Sequence, residues 1–176
     1  MAVTVRDLGA DDVDALQGLL ESVPDYAERI TGYPPGPSDG LSALLSVPDG
    51  FGAGGPGVGG RDASGKYGIG LWDGPQLVAF ADVLIGYPSS SFAFIGLLVV
   101  RGDRQQEGLG AAMHEAVVDR ARSTPGVARL RLGIVATNAE VAEPFWRALG
   151  YEPTGERKPY RYDHLESTVA LWERPA

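Results

Sequence analysis

The sequence predicts an α/β protein built on a mixed sheet of six or seven strands. Three strand-like segments follow one another between Tyr67 and Val100 with short turns between them, so they should form an antiparallel meander. Helical and strand-like segments then alternate, which indicates a parallel strand pair at the centre of the sheet. The chain of 176 residues has a common size for one domain, and we expect a single domain over residues 1–176.

The N-terminal part predicts one strand followed by short helices. Residues 3–7 can form the strand, and Asp11 or Asp12 begins a helix whose leucines recur at helical spacing. Pro24 marks the end of that helix. A second short helix is predicted over Tyr26–Ile30, and Leu41–Val47 should add one or two helical turns.

A Gly- and Pro-rich insertion at about residues 34–66 is predicted to be flexible. Residues 50–60 contain seven glycines and one proline. Such a segment buries too little apolar surface to offset the entropy of ordering it. No Gly-Lys-Ser/Thr follows, which excludes a phosphate-binding P-loop. The segment is either a solvated loop or a lid over a substrate cleft.

The meander is predicted from residues 67–72, 76–85 and 92–100, with a hairpin turn at Asp73-Gly74-Pro75. Residues 92–100 (FAFIGLLVV) are apolar at consecutive positions, which predicts a strand buried on both faces. An amphipathic helix follows Gly110 and ends at Pro125-Gly126.

The remaining elements are a strand over residues 130–135, a helix ending at Leu149 and two strands over 152–162 and 167–173. Pro144 lies in the interior of the last helical pattern. We therefore expect that helix to begin near Glu143, because proline is tolerated in the first helical turn.

Composition excludes several classes of function. A net charge of −8 argues against nucleic acid as a partner, and no run of 18 apolar residues predicts a membrane span. The absence of cysteine excludes a catalytic thiol. His114, expected on a helix surface, and His164 lack metal-ligand spacing, so no metal site is expected. The N-terminus lacks the apolar core of a signal peptide, and we expect a cytoplasmic protein.

The segment Gln105-x-x-Gly108-x-Gly110 lies where a buried strand passes through a polar loop into a helix. Backbone N–H groups at a helix start have no partner within the helix, and with the helix dipole they attract anions. Glycine lets a phosphate approach the main chain closely. The segment therefore predicts a site for a phosphorylated cofactor. A Rossmann site fits poorly, since no Asp or Glu ends the next strand to hold a ribose.

These residues resemble the GCN5-related N-acetyltransferases, the GNAT family. Gln105, Gly108 and Gly110 fit the family's phosphate signature. A second landmark, a strand followed by Asn and a helix ending in Leu-Gly-Phe/Tyr, is similar to residues 132–138 and 145–151. The resemblance implies a GNAT-like sheet flanked by helices on both faces.

The resemblance also implies that acetyl-CoA is the co-substrate. Its pantetheine arm would bind the backbone of the splayed strand, and its pyrophosphate the N–H groups of residues 105–111, with electrostatic help from Arg101 and Arg104. The cofactor-binding residues implied are Leu98, Val99, Val100, Gln105, Gln106, Glu107, Gly108, Leu109, Gly110, Ala111, Asn138 and Trp146.

The sequence departs from the family pattern at three places. Gln106 stands where glycine is common, and Trp146 stands where many relatives carry a tyrosine as acid for the leaving thiolate. Gly96 and Leu97 stand where many relatives carry a glutamate base. Other groups or water must then move the protons.

The candidates for these proton transfers are Asp82 and Tyr87 as base and Tyr151 as acid. Asp82 is predicted to lie roughly opposite Ile95 with a raised pKa, although a surface carboxylate is an equal alternative. Tyr151 is alternatively a core residue.

We therefore expect transfer of an acetyl or similar group from acetyl-CoA to a primary amine of a small molecule, by direct attack in a ternary complex. A non-catalytic relative that binds CoA or an amine as a sensor or sequestering protein is the alternative. Residues 158–166 would face the substrate, connect strands or form a homodimer surface.

Overall fold

The structure, a computed structural model, describes residues 2–49, 51 and 65–176. It contains one sheet of seven strands in the order β1-β2-β3-β4-β5-β7-β6. The strands are β1 (Val3–Asp7), β2 (Lys66–Asp73), β3 (Gln76–Ile85), β4 (Phe92–Val100), β5 (Arg129–Val135), β6 (Glu152–Tyr162) and β7 (Leu165–Pro175). The helices among the described residues are α1 (Val13–Glu21), α2 (Pro24–Thr31), α3 (Asp39–Leu45), α4 (Leu109–Arg122) and α5 (Ala139–Ala148).

The mixed sheet predicted from the sequence is confirmed. β1 to β4 form an antiparallel meander, and β4 and β5 are the parallel pair at the centre. β7 and β6 complete the sheet in antiparallel pairing. Of the residues that the structure describes, none belongs to a helix long and apolar enough to cross a bilayer.

The two faces of the sheet carry separate hydrophobic cores because successive strand residues point to opposite sides. On β3, Phe80 packs in one core with Leu16 and Leu19 of α1. Its neighbours Ala79 and Ala81 belong to the other core, which contains Met113 of α4 and Trp146 of α5 among others. Helices therefore cover both faces, as the family resemblance implied.

β4 is not buried on both faces along its whole length, so that prediction is wrong for the part beyond Ile95, where of the described residues only Val99 is buried. Ala93 and Ile95 are buried, whereas Gly96 is exposed and Leu97 is partly exposed. The reason is the pairing with β5, which joins residues 92–95 to residues 129–132 and then stops. Beyond that point each of the two strands keeps only its outer neighbour.

The last helix begins earlier than predicted. A 3₁₀ turn over Ala136–Asn138 leads into α5 at Ala139, and Pro144 lies inside the helix. The prediction that this helix starts near Glu143 is therefore wrong. Packing of its apolar face, which includes Phe145 and Trp146, on the core outweighs the backbone hydrogen bond that proline cannot make.

Residues 39–45, which lie in the segment predicted as an insertion, form α3 and pack on α1. The side chain of Gln17 accepts a hydrogen bond from Gly40 N at 2.7 Å and donates one to Gly36 O at 2.9 Å. Of residues 50–60, on which the lid hypothesis depends, all but Phe51 lie outside the described residues. Their flexibility stays a prediction.

The end of α1 packs closely on the loop that follows β4. Gly102 N donates a hydrogen bond to Ser22 Oγ at 3.0 Å. A Cβ added at Gly102 would lie 1.9 Å from Ser22 O, a distance that no real Cβ adopts. Glycine is therefore required here, and this contact fixes α1 and α2 relative to the loop that precedes α4.

Gly102→Ala should lower the free energy of unfolding by about 1–3 kcal/mol, since the backbone must shift to admit the methyl group. The matched control is Gly18→Ala in α1, where an added Cβ meets nothing within 4 Å. That change should stabilise the protein by about 0.5–1 kcal/mol, because alanine favours helix. Urea unfolding of both variants measures the difference, and equal effects would contradict this account.

Candidate active site

A cavity of about 460 Å³ lies between the separated ends of β4 and β5, and we call it the β4–β5 cavity. Its walls include the main chain of Gly96–Val100, the start of α4 and parts of α2 and α5. All but one of the predicted cofactor-binding residues line it: Leu98, Val99, Val100, Gln105, Gln106, Gly108, Leu109, Gly110, Ala111, Asn138 and Trp146. The exception is Glu107.

The loop before α4 has the backbone shape of an anion nest. Gln106 and Gly108 both have left-handed backbone angles, with φ of +64° and +79°. Gly108 is the N-cap of α4, so the N–H groups of the first turn have no partner within the helix. A Cβ added at Gly108 would meet nothing within 4 Å. Open space therefore lies in front of the nest, as an incoming anion requires.

Gln106 adopts the conformation in which glycine is common, although it is not glycine. A left-handed angle at a residue with a Cβ costs about 1–3 kcal/mol. The loop keeps this shape despite the departure from the family pattern, so the N–H group of residue 106 stays available. Gly110 has another role, because an added Cβ would lie 2.9 Å from the Phe145 ring. It lets α4 pack closely on α5.

The two arginines predicted to assist the phosphate site are engaged elsewhere. Arg101 pairs with Asp103 at 3.0 Å. Arg104 pairs with Glu107 at 2.8 Å and Asp73 at 3.2 Å. Neither arginine lines the β4–β5 cavity. Their ion pairs with nearby carboxylates hold both arginine side chains away from the nest.

Among the described residues that line this cavity, Arg29 of α2 carries the positive charge, and it was not predicted from the sequence. Its Nε donates a hydrogen bond to Asn138 Oδ1 at 2.6 Å. The two residues are 109 positions apart, so no local pattern could have joined them. Asn138 thus links α2 to the start of α5 from within the cavity wall.

A second cavity of about 400 Å³ lies beside the first, and we call it the α2–α3 cavity. Residues of α2, α3 and the loop between them form much of its wall, together with Asp82 and Tyr162. Both cavities are lined by Val23, Tyr26, Gly96 and Leu97. The two spaces therefore meet at the point where β4 leaves β5.

Asp82 lies at this meeting point, in a register that differs from the predicted one. It pairs with Leu97, not Ile95, because Gly96 is an extra residue that forms a bulge in β4. A Cβ added at Gly96 would lie 2.6 Å from Asp82 Oδ2. The carboxylate therefore faces the bulge, and the absence of a side chain at Gly96 leaves it room.

Lys66 holds the other oxygen of Asp82, since its Nζ donates a hydrogen bond to Oδ1 at 2.5 Å. Both side chains are largely buried. Burial raises the pKa of Asp82, while the charge and hydrogen bond of Lys66 oppose that rise. Lys66 was not predicted from the sequence, although a lysine at the start of a largely apolar strand is a visible signal.

The other two candidates for proton transfer line neither cavity. Tyr87 lies at the β3–β4 turn, where its ring packs edge-on against Phe51 and Phe94. Tyr151 is buried, and its hydroxyl lies 2.9 Å from His114 Nε2. Burial raises the pKa of Tyr151. The structure brings neither group to Asp82.

His114 is fully buried, so its predicted surface position is wrong. It lies beside the apolar stripe of α4, and its ring packs edge-on against Trp146 and Tyr151. α4 packs on the sheet and also against Trp146 and Tyr151, so its buried face is wider than the apolar stripe seen in the sequence. The Tyr151 hydroxyl satisfies one ring nitrogen and makes this burial tolerable.

The segment 158–166 lies in the β6–β7 hairpin and anchors α2. The Tyr160 hydroxyl donates a hydrogen bond to Ile30 O at 2.6 Å. The Tyr33 hydroxyl, just beyond α2, is hydrogen-bonded to Asp163. Tyr162 lines the α2–α3 cavity. Three roles were left open for this segment: facing the substrate, connecting strands and forming a homodimer surface. The position of Tyr162 in a cavity wall favours the first of them.

Comparison with known proteins identifies the family. The sequence model of the acetyltransferase (GNAT) family matches residues 57–151, and the chain belongs to this family. Members of the family transfer acetyl groups and use acetyl-CoA. No curated relative matches the chain in sequence.

Solved structures share the fold over the whole chain. An acetyltransferase from Thermus thermophilus is 23% identical with a TM-score of 0.69, covering 100% of this chain and 98% of its own. The Escherichia coli ribosomal-protein-S18-alanine N-acetyltransferase is 19% identical with a TM-score of 0.65, covering 99% and 94%. A GCN5-related N-acetyltransferase from Kribbella flavida is 19% identical with a TM-score of 0.67, covering 99% and 98%. At such identities the likeness concerns the fold.

The buried His114 should make stability fall with acidity. Burial lowers the pKa of His114 from 6.5 to about 4. Between these values the unfolded chain binds a proton that the folded chain does not, so unfolding becomes easier as pH falls through this window. The loss should total about 3 kcal/mol and cease near pH 4.

Urea unfolding from pH 7 to 4 measures this loss, and His114→Gln should remove most of it. The same change at the exposed His164 is the matched control and should leave the pH dependence unaltered. An unchanged slope in the His114 variant would contradict the assignment.

Proposed function

We propose that the protein is an N-acetyltransferase that moves an acetyl group from acetyl-CoA to a primary amine of a small molecule. The observation that carries this proposal is the meeting of two cavities at Gly96 and Leu97, beside the Asp82 carboxylate. One cavity suits the donor and the other suits the acceptor. Direct attack then needs no covalent enzyme intermediate, in keeping with the absence of cysteine.

Acetyl-CoA fits the β4–β5 cavity for two reasons. The nest at residues 106–111 offers unpaired N–H groups to the pyrophosphate. Beyond Ile95, the edge of β4 that faced β5 has no strand partner in the described sheet. The amides of the pantetheine arm would form hydrogen bonds with Leu98–Val100 as a neighbouring strand does. That path directs the thioester from the nest toward Gly96.

The amine would occupy the α2–α3 cavity. Its described lining residues include two carboxylates, Asp39 and Asp82, and no Lys or Arg. The rest of the wall is largely apolar, with residues such as Leu20, Ile30 and Leu97. A small, partly apolar molecule with a protonated amine would complement both the carboxylates and the apolar lining of this cavity. Its nitrogen would approach Asp82 and face the thioester across the bulge.

Asp82 would act as the base. Lys66 fixes the carboxylate through Oδ1 and leaves Oδ2 toward the bulge. The bound ammonium group first loses one proton to water, which frees the nitrogen lone pair. The amine nitrogen then attacks the thioester carbonyl as Asp82 accepts its second proton, and the carbon–sulfur bond breaks to release the thiolate. The raised pKa of Asp82 brings this carboxyl nearer to neutral pH, where a base is effective.

A non-catalytic protein that binds CoA or an amine is the second candidate. The observation that favours it is the ion pair of Asp82 with Lys66, which stabilises the carboxylate and weakens it as a base. Trp146 also occupies the position where many relatives carry an acidic tyrosine. Such a protein would bind acetyl-CoA but release no thiol in the presence of amines.

Thiol release from acetyl-CoA over a panel of primary amines, with calorimetry of CoA binding, tests both candidates. Gln106→Asp should weaken CoA binding at least tenfold, because it adds a negative charge at the nest. The matched control is Gln76→Asp at the β2–β3 hairpin, outside both cavities, which should leave binding unchanged. Undiminished binding in the Gln106 variant would contradict the placement of the pyrophosphate.

The role of Asp82 predicts a particular pH profile. Asp82→Asn should lower kcat/KM about 10²–10⁴-fold. In the native protein kcat/KM should rise as pH passes upward through the pKa of Asp82. Lys66→Met removes the charge that lowers this pKa, so the acid limb should move to higher pH.

Lys158, the other of the two lysines in the chain, supplies the control for this profile. It is exposed, and Lys158→Met should leave the acid limb in place. Circular dichroism at each pH verifies that the Lys66 variant is folded. An acid limb that stays fixed in the folded Lys66 variant would exclude Asp82 as the titrating base.

A further inference from the structure

Tyr26 occupies a special position between the two cavities. Four residues line both, namely Val23, Tyr26, Gly96 and Leu97, and only Tyr26 among them has a polar side chain. It lies on α2, in the part of the sequence where the family resemblance is weak. No local sequence pattern marks Tyr26 as a functional residue.

The other tyrosine hydroxyls around α2 have structural partners. Tyr160 binds Ile30 O, and Tyr33 binds Asp163. The Tyr26 hydroxyl, by contrast, has no hydrogen-bond partner among residues 2–49, 51 and 65–176. A polar group beside a cavity that lacks a protein partner is free to bind what enters the cavity.

The charge near Tyr26 favours an anion. Arg29, one turn further along α2, interacts electrostatically with the Tyr26 hydroxyl and lines the β4–β5 cavity. Asn138 holds this arginine in place. Burial raises the pKa of Tyr26 to about 12, so the hydroxyl stays protonated at neutral pH and serves as a donor.

We propose that Tyr26 donates a hydrogen bond to the sulfur of the departing CoA thiolate. This inference rests on the proposed function, because it requires the thioester at the junction of the cavities. An arm that binds Leu98–Val100 from the side of the nest ends near Gly96 and Leu97, which border the junction with Tyr26. Trp146 cannot exchange a proton with the thiolate near neutral pH.

The reaction balances with this assignment. After the ammonium group has lost one proton to water, the nitrogen–carbon bond forms, Asp82 takes the second amine proton, and the carbon–sulfur electron pair goes to sulfur. Tyr26 stabilises the resulting negative charge with its hydrogen bond, helped by Arg29. The Tyr26 proton stays on its oxygen, and the thiolate takes a proton from water after release. Tyr26 therefore acts as a charge-stabilising donor and not as the acid.

Tyr26→Phe tests this role, because it removes the hydroxyl and keeps the ring. It should lower kcat about 100-fold, as expected for loss of one preorganised donor to a developing anion. Affinity for acetyl-CoA, whose uncharged thioester sulfur is a weak acceptor, should change little by calorimetry, and the thermal unfolding midpoint should stay close to the native value. Tyr33→Phe is the matched control on the same segment, where the hydroxyl lies outside both cavities, and it should keep native kcat.

A second comparison separates assistance to sulfur from placement of the amine. S-acetylpantetheine and phenyl thioacetate carry the same acetyl group, but thiophenol is the more acidic leaving thiol. The ratio of native to Tyr26→Phe kcat/KM should be several-fold larger for S-acetylpantetheine. Charge on the departing sulfur needs less stabilisation when the thiol is acidic.

Three results would overturn the inference. They are a Tyr26→Phe kcat within twofold of the native value, a defect confined to KM for the amine, and equal defects with the two thioesters. In each case the native protein still releases thiol, so the proposed function stands. A native protein that acetylates no amine of the panel would overturn both proposals.

Discussion

The separation of β4 from β5 after residues 95 and 132 is the constraint on which the site depends. Parallel strands normally bond along their whole shared length, and here pairing stops after four residues on each strand. β4 stays paired with β3 and β5 with β7, so at this gap the sheet loses only the hydrogen bonds between β4 and β5. That gap provides unpaired backbone, and the helices above it provide walls.

Glycine at three positions makes the gap usable. Gly96 forms the bulge and leaves room for the Asp82 carboxylate. Gly108 turns the chain into α4 with its amides directed outward, and Gly110 lets that helix approach Phe145. Each glycine meets a different requirement: close approach to a carboxylate, a left-handed backbone angle, and helix packing.

The N-terminal helices complete the site although they belong to the least family-like part of the chain. α2 contributes Tyr26 and Arg29 to the cavity walls. Contacts from distant parts of the sequence hold it there, including Arg29 with Asn138 and Tyr160 with Ile30.

The sequence by itself determined the order of strands and helices along the chain and the position of the candidate phosphate loop, because both rest on local signals. Both the alternation of apolar segments and the Gly-x-Gly motif at a helix start are recognised from residues within a short window of sequence. It also limited the choice of base to a few residues, one of which, Asp82, lies at the meeting of the cavities.

Tertiary structure alone decided what surrounds those signals. Asp82 acquired its register from a bulge in β4, and Lys66 of the neighbouring strand β2 became its partner. His114 became buried because α4 packs on more than one neighbour, and Arg29 entered the cavity through a contact that spans most of the chain. Side-chain partners of this kind depend on three-dimensional proximity, which periodicity along a chain does not encode.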